Sequence, residues 1–396
     1  RIEEEFAEGA RSAGAEVLRI GEVPTPLLYY ALFRLPVDGG VQVTASHNPA
    51  PYNGFKVCVG REALHGEQIQ GLLALIEKGD FETGSGGTAE ESGIIDRYIA
   101  EWKPQGSDVR GLEFAMDCGN GMAGVVAPRL FRELGATVHG LYLDPDGTFP
   151  NHEADPTQEA TLRDLKAEVA RKRLRIGIAY DGDADRVGAV DHEGRVVWGD
   201  QLLLLFARDL LARGPATILC DVKCTDLLED DVRSRGGRLV MWKTGHSLIK
   251  AKMKEEKAAL AGEMSGHMFF QDGYLGYDDA IYASLRLLAI LGRTGKTIPE
   301  LLAGLPPRVS TPELRVACAE EDKFRIVAEI AARLKARYPT LDIDGARFRI
   351  PGGWGLVRAS NTQPVLVLRF EAETEAKLEE AKGIMSAELA PYGLAL

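Results

Sequence analysis

The sequence contains Thr44-Ala45-Ser46-His47-Asn48-Pro49 between two strand-like runs, residues 40–43 and 54–59. A serine at the turn between a strand and a loop has an exposed hydroxyl that nearby backbone donors can orient, which is how proteins present a nucleophile. The same residues could form an ordinary serine turn that His47 and Pro49 rigidify, and for an isolated Ser-His pair that interpretation is the more common one. Three stretches further along the chain favour the nucleophile, because they supply the groups that a phosphorylated Ser46 would need.

The first of these stretches, the acidic loop (residues 181–186), follows an apolar run. It reads Asp181-Gly182-Asp183-Ala184-Asp185-Arg186. Carboxylates at alternate positions can surround one hard cation, whereas without a cation they repel and raise one another's pKa. An EF-hand would need Gly and Glu where this sequence has Arg186 and His192. With waters and a phosphate oxygen as further ligands, Mg²⁺ fits best, and a solvated acidic turn is the alternative.

The other two stretches are the Glu263 loop (residues 262–267) and the anchor loop (residues 358–362). The first reads Gly262-Glu263-Met264-Ser265-Gly266-His267 and carries the fixed polar groups that hydrogen-bond sugar hydroxyls. The second reads Arg358-Ala359-Ser360-Asn361-Thr362, in which a guanidinium, hydroxyls and backbone N–H groups can bind a phosphate. Capping residues at an element boundary and a basic turn with incidental hydroxyls are the structural alternatives.

Together and in this order, the four stretches resemble the α-D-phosphohexomutase superfamily, most closely its phosphomannomutase/phosphoglucomutase branch. The resemblance runs from about residue 15 to the C-terminus. It implies an isomerase that interconverts hexose 1-phosphate and hexose 6-phosphate, of mannose or glucose, through phospho-Ser46 and a 1,6-bisphosphate that also acts as activator. A phosphoglucosamine mutase, a serine phosphatase and a catalytically silent sugar-phosphate-binding protein are the alternatives. The Glu-Met-Ser and Arg-Ala-Ser-Asn-Thr sequences favour the mannose and glucose mutases.

The resemblance also implies roles for individual residues. It implies that Mg²⁺ is held by Ser46, Asp181, Asp183 and Asp185, and that catalysis involves Ser46, Lys56, Arg186 and His267. It implies substrate contacts from His47, Lys223, His246, Glu263, Ser265, Arg358, Ser360, Asn361 and Thr362. Taken alone, Lys56 could be a solubility residue at a strand edge, Lys223 a surface lysine and His246 a satisfied loop histidine.

Alternating helix and strand patterns predict an α/β protein, and 396 residues exceed what one core usually holds. We expect four domains around a central cleft: 1–92 with the phosphoserine, 93–195 with the metal, 196–306 for the sugar and 307–396 for a phosphate. The first three are expected to be α/β units with mixed sheets and the last α+β. Residues 79–93 are glycine-rich and predict a flexible connection. The resemblance further implies an N-terminal strand and a Tyr-Asp-x-Arg-Gly loop before residue 1, which would add a strand to the first sheet and a wall to the cleft.

The amino-acid composition argues against several other classes of protein. The apolar fraction of 45% and charged fraction of 27% are those of globular proteins. A net charge of −12 argues against a nucleic-acid or anionic-membrane binder, so a phosphorylated hexose must bind in a local basic cleft. No apolar run approaches the roughly 18 residues of a membrane span. The five cysteines are scattered, and Cys220 and Cys224 lack partners at zinc-finger spacing. A cytoplasmic enzyme, monomeric or dimeric, fits these features.

Overall fold

Helices and strands alternate along most of the chain in the computed structural model, which describes residues 1–46, 48, 51–361 and 363–396. Four successive units are present, each with its own sheets. Among the described residues, no helix combines the length and the apolarity that a membrane span requires.

The first unit has two small sheets rather than one. Its elements are α1 (Ile2–Ser12), β1 (Val17–Arg19), α2 (Thr25–Arg34), β2 (Gly39–Val43), β3 (Phe55–Val59), β4 (Glu62–Ala63), α3 (Glu67–Lys78) and β5 (Thr88–Glu90). Strands β1 and β5 pair in parallel, and β2, β3 and β4 form an antiparallel sheet. The hairpin of β2 and β3 brackets the loop that carries Ser46.

The prediction of a flexible connection at residues 79–93 is wrong in its second half, because this segment contains β5. Three of its glycines, Gly84, Gly86 and Gly87, pack directly on the residues between α1 and β1. The Gly86 N–H donates to the Arg11 carbonyl at 3.0 Å, and a Cβ on Gly86 would lie 1.8 Å from the Ala15 carbonyl oxygen. The glycines thus serve close backbone packing here.

The second unit has a mixed five-stranded sheet in the order β10-β9-β8-β6-β7. Its elements are α4 (Ile94–Trp102), β6 (Glu113–Asp117), α5 (Ala127–Glu133), β7 (Thr137–Leu141), α6 (Arg163–Lys172), β8 (Ile176–Tyr180), β9 (Val187–Asp191) and β10 (Val196–Val197). Strands β8 and β9 are antiparallel, with Tyr180 opposite Val187. Every residue of both strands is buried, which anchors the acidic loop between them.

The third unit has a four-stranded sheet in the order β12-β11-β13-β14, in which only β14 is antiparallel. Its elements are α7 (Gly199–Leu211), β11 (Thr217–Asp221), α8 (Leu227–Ser234), β12 (Arg238–Trp242), α9 (His246–Glu256), β13 (Leu260–Gly262), β14 (Met268–Phe270), α10 (Ala280–Thr294) and α11 (Ile298–Leu301). The carboxyl ends of parallel strands collect ligand-binding residues. Lys223, His246 and the Glu263 loop all follow such ends.

The fourth unit is an antiparallel sheet covered by two helices, as expected for an α+β domain. Its elements are β15 (Val309–Ser310), β16 (Leu314–Ala317), α12 (Lys323–Lys335), β17 (Thr340–Leu341), β18 (Ala346–Ile350), β19 (Gly353–Ala359), β20 (Val365–Ala372) and α13 (Glu375–Leu389). The anchor loop connects β19 and β20. This unit has its own apolar core, whereas the first three units share one continuous cluster of buried apolar side chains.

Candidate functional site

Ser46 has a backbone conformation that is rare for a residue with a side chain. Its φ angle is +54°, in the left-handed region, and such residues cluster at functional sites. The Ser46 N–H donates to Thr44 Oγ1 at 2.9 Å, and Ser46 Oγ donates to Asp181 Oδ2 at 3.0 Å. The first unit therefore presents the Ser46 hydroxyl to the acidic loop of the second unit.

The acidic loop folds so that its three carboxylates meet. Two backbone N–H groups at the end of the loop donate to Asp181 Oδ1 at 3.1 Å, and Ala184 has a φ of +61°. Asp181, Asp183 and Asp185 are buried and place ligand oxygens within 4.8 Å of one another. Among the described residues, Asp183 Oδ1 and Asp185 Oδ1 have no hydrogen-bond partner. Buried carboxylate oxygens without donors are costly, so this cluster is suited to hold a metal ion.

Two cations neutralise part of this negative charge. Lys56 Nζ lies 2.6 Å from Asp183 Oδ2 and 2.6 Å from Asp185 Oδ2, and Arg186 Nε donates to Asp181 Oδ2 at 3.0 Å. Burial and the neighbouring Asp185 raise the pKa of Asp181 to about 7. Burial also acts to raise the pKa of Asp183, but the Lys56 ammonium holds it below its usual range. Burial is the main cause of the raised pKa of Asp181 and Asp185 adds to it, so a divalent cation at these carboxylates would lower that pKa.

Two residues that were not among the predicted site residues support the acidic loop. Thr25 Oγ1 donates to Asp183 Oδ2 at 2.6 Å, and the Thr25 N–H donates to the Asp183 carbonyl at 3.0 Å. Thr25 begins α2, whose first N–H groups need acceptors outside the helix, and Thr25-Pro26 is a sequence signal for that start. Asp155 Oδ1 accepts from Arg186 Nη1 at 3.2 Å, a contact between segments that no local pattern predicts.

His267 lies beside the acidic loop. Its Nδ1 is 3.1 Å from Asp278 Oδ2 and 3.6 Å from Asp185 Oδ1. Burial acts to lower the pKa of His267, but these carboxylates raise it to about 9. The His246 ring stacks on His267 with centroids 5.5 Å apart, and burial together with Lys250 lowers the pKa of His246 to about 3. His267 is thus charged near neutral pH, whereas His246 is neutral.

The Glu263 loop is held by a backbone N–H of its own unit and by close packing on a strand of the second unit. The Gly245 N–H donates to Glu263 Oε1 at 2.5 Å, and Ser265 Oγ donates to Glu263 Oε2 at 3.3 Å. Gly266 has a φ of +97°, and a Cβ there would lie 2.4 Å from the Val187 carbonyl oxygen. Burial raises the pKa of Glu263. The loop is therefore rigid, as hydrogen bonding to defined sugar hydroxyls requires.

A cavity of about 200 Å³ opens between the second, third and fourth units. Among its described lining residues, four are cations and only Glu313 is anionic. The lining residues are Thr157, Arg186, Trp198, Lys223, Met264, Ser265, Pro312, Glu313, Arg315, Arg358, Ser360, Gln363 and Val367. A protein of net charge −12 thus contains a local basic cleft, which suits a phosphorylated ligand.

The phosphate-binding candidates are held in place by neighbouring groups. Arg358 Nε donates to Asp344 Oδ2 at 2.9 Å, and Ser360 Oγ accepts from the Gln363 N–H at 3.1 Å. Lys223 Nζ donates to Glu313 Oε2 at 3.1 Å. Burial acts to lower the pKa of Lys223, but Glu313 and nearby carboxylates raise it. Lys223 is therefore a charged, buried lysine rather than the solvated surface residue of the alternative interpretation.

The predicted site residues fall into two groups in the structure. Ser46, Lys56, Arg186, His267 and the three aspartates meet at the acidic loop, with His246 beside them. Lys223, Ser265, Arg358 and Ser360 line the cavity, which Arg186 also reaches. Asn361 is exposed and is not among the described lining residues. His47 and Thr362 lie outside the described residues.

The sequence matches protein-family models in all four units. It matches phosphoglucomutase/phosphomannomutase alpha/beta/alpha domain I over residues 1–83, domain II over residues 96–194, domain III over residues 198–309 and the C-terminal domain over residues 313–386. It is 46% identical over 389 residues to phosphomannomutase/phosphoglucomutase from Pseudomonas aeruginosa strain PAO1, covering 97% of this chain and 83% of the relative. It is 44% identical over 381 residues to phosphoglucomutase from Neisseria meningitidis serogroup A, covering 95% and 83%.

A solved structure supports the same assignment. The fold matches a phosphoglucomutase/phosphomannomutase family protein from Burkholderia thailandensis with a TM-score of 0.91 and 42% identity, covering 100% of this chain and 88% of that one. These matches confirm the four-domain architecture and the hexose phosphate mutase class expected from the sequence. The chain therefore belongs to the phosphoglucomutase/phosphomannomutase family.

Proposed function

We propose that this hexose phosphate mutase interconverts the 1-phosphate and 6-phosphate of mannose, glucose or both by phosphoryl exchange with Ser46. The observation that carries the proposal is that all four units contribute residues to the region around Arg186. Ser46 Oγ of the first unit contacts Asp181 of the second at 3.0 Å, and the basic cavity beyond Arg186 is completed by the third and fourth units.

Asp181, Asp183 and Asp185 would hold Mg²⁺, with an oxygen of phospho-Ser46 as a further ligand. The buried oxygens without donors at Asp183 and Asp185 fit a hard cation. When bound, Mg²⁺ neutralises charge on the transferring phosphoryl group. Lys56 and Arg186 act in the same direction, because both are held at the acidic loop and carry fixed positive charge.

The transfer itself is an exchange of oxygen partners at phosphorus. The bond from Ser46 Oγ to phosphorus breaks, and a bond from the free sugar hydroxyl to phosphorus forms, which gives the hexose 1,6-bisphosphate. The sugar hydroxyl loses a proton and Ser46 Oγ gains one. The raised pKa of His267 favours a charged His267 that orients groups at the acidic loop. The bisphosphate then reorients in the site, and its other phosphoryl group is transferred to Ser46.

The second group of residues holds the phosphate that is not reacting. Lys223, Arg358 and Ser360 line the cavity, and they supply an ammonium, a guanidinium and a hydroxyl. Glu263 and Ser265 would bind the sugar O3 and O4, which occupy equivalent positions after a half-turn of the sugar. Residues 47, 361 and 362 remain predicted substrate contacts. The five free cysteines, all buried, support a reducing compartment, and we therefore assign the enzyme to the cytoplasm.

Activity with three sugars tests the proposal. We expect turnover of mannose 1-phosphate and glucose 1-phosphate that depends on Mg²⁺ and on trace 1,6-bisphosphate. Glucosamine 1-phosphate as the preferred substrate would move the enzyme to the phosphoglucosamine mutases. Release of inorganic phosphate without bisphosphate dependence would indicate a phosphatase, and tight sugar-phosphate binding without turnover would indicate a binding protein.

A further inference from the structure

The Lys223 loop (residues 222–226) follows β11 and is contacted by a guanidinium of the fourth unit. Arg347 of β18 donates from Nη1 to the Val222 carbonyl at 2.6 Å and to the Cys224 carbonyl at 2.8 Å. These two carbonyls lie on either side of Lys223 along the chain. Arg347 therefore binds the main chain around a residue that is predicted to contact the substrate phosphate.

A second arginine and an aromatic ring complete this contact. Arg369 of β20 donates from Nη1 to the Lys223 carbonyl, and to Asp200 Oδ2 at 2.9 Å. The Arg347 guanidinium lies over the Trp354 ring, 3.7 Å from its centroid. Both arginines are 2% exposed. Burial of a guanidinium is costly without compensation, and much of the compensation here comes from main-chain carbonyls of the Lys223 loop.

The register of the sheet connects this contact to the anchor loop. Both arginines are register partners of Leu356 in β19, one on each side of it. Trp354, Leu356 and Arg358 stand at alternate positions of β19 and therefore project from the same face. Trp354 and Leu356 form an apolar cluster with Val222, whereas Arg358 lines the cavity that Lys223 also lines. One face of the sheet thus binds the Lys223 loop and carries the anchor arginine.

We propose that Arg347 is a positioning residue for the phosphate that is not reacting. It fixes the main chain of the Lys223 loop relative to β19, and so sets the separation between the Lys223 ammonium and the Arg358 guanidinium. Two cations that hold one phosphate must be correctly spaced, because charge-assisted hydrogen bonds have donor–acceptor distances of about 2.7–2.9 Å. The inference rests on the proposed phosphate-binding role of Lys223 and Arg358.

A purely structural contact between the third and fourth units is the competing explanation. Arg349, two residues further along β18, makes such a contact, because it is half-exposed and lies 3.1 Å from carboxylate oxygens of both Asp226 and Glu229. Arg347 also pairs with Asp226. Among the described residues, however, Arg349 has no bond to the main chain beside Lys223. Arg349 is therefore the matched control for a contact that only holds the two units together.

A double-mutant cycle tests the proposal, with glucose 1-phosphate as the probe. Every variant carries Ser46→Ala, so calorimetry on the full chain measures binding without phosphoryl transfer. Arg347→Met should weaken binding by about 10- to 100-fold, the effect of a small displacement of a binding group, and by no more than Lys223→Met does. In the Lys223→Met background the same change should weaken binding by less than about twofold, because Arg347 acts through Lys223. Arg349→Met should leave the affinity unchanged in both backgrounds.

If Arg347→Met does not fold, as judged by circular dichroism, Arg347→Lys takes its place, because an ammonium keeps the charge but not the planar fork. An equal loss of affinity with and without Lys223, or a lower melting temperature with unchanged affinity, would make Arg347 a contact between units only and overturn the proposal. Unchanged affinity in Lys223→Met would overturn it together with the phosphate role of Lys223. Absence of turnover in the chain that retains Ser46 would refute the proposed function alone, because the cycle measures binding.

Discussion

Replacing Lys56 by Met should separate metal binding from turnover. Lys56 Nζ is 2.6 Å from one oxygen each of Asp183 and Asp185. The same two carboxylates would hold the cation, and two unit charges about 4 Å apart interact by about 4 kcal/mol at an effective dielectric constant of about 20. We therefore expect Lys56 to oppose cation binding and, in the proposed mechanism, to stabilise the transferring phosphoryl group. We expect Lys56→Met to bind Mg²⁺ at least about tenfold more tightly, which is about 1.4 kcal/mol.

The same variant should lose turnover. Removing one preorganised charge that stabilises a transition state costs about 10²- to 10³-fold in kcat. The assay measures kcat at saturating Mg²⁺ and substrate, and calorimetry measures Mg²⁺ affinity. Lys78→Met is the matched control, because Lys78 is exposed and pairs only with Asp80 among the described residues. A kcat for Lys56→Met within about threefold of the wild type would refute the reasoning.

Three further predictions concern other parts of the molecule. Arg358→Lys should raise the KM for hexose phosphate by at least about tenfold, since Lys cannot bind a phosphate with two parallel hydrogen bonds; an unchanged KM would remove Arg358 from the phosphate site. Gly266→Ala should lower the melting temperature and kcat, because its Cβ would lie 2.4 Å from the Val187 carbonyl oxygen, whereas Gly383→Ala, in open space, should do neither. Burial raises the pKa of Asp279 to about 6, so this group stabilises the fold below pH about 4 and its contribution is lost as the pH rises towards 6. Thermal melts at pH 4.5 and 7 should therefore show Asp279→Asn gaining stability relative to the wild type at the higher pH, and a constant difference would contradict the assignment.

The parts of the site that local sequence predicts are those in which a strand leads directly into polar residues. The apolar run at residues 176–180 is strand β8 with the same bounds, and the three aspartates after it cluster because a hairpin reverses the chain there. The apolar run before Lys223 and the strand before the Glu263 loop follow the same logic. The hydrophobic pattern and the turn residues are sufficient to predict such segments from the sequence.

Contacts between distant segments are not predictable from local pattern. Asp278 and Lys250 are 28 residues apart and carry no local signal, yet they form a partly buried ion pair. The contact between Ser46 and Asp181 spans 135 residues, and only the family resemblance brought these residues together in advance. Strand β5 was missed because glycines usually indicate a loop, whereas here they allow two backbones to approach.

The central claim is that Ser46 carries the phosphoryl group between substrate and product. The most direct measurement is peptide mass mapping after incubation with hexose 1,6-bisphosphate and Mg²⁺, followed by a chase with glucose 1-phosphate. We predict one phosphate on Ser46 that the chase removes with formation of bisphosphate, and neither phosphate nor turnover in Ser46→Ala, while Ser85→Ala behaves as the wild type. A phosphate on another residue, or turnover that persists in Ser46→Ala, would contradict the account.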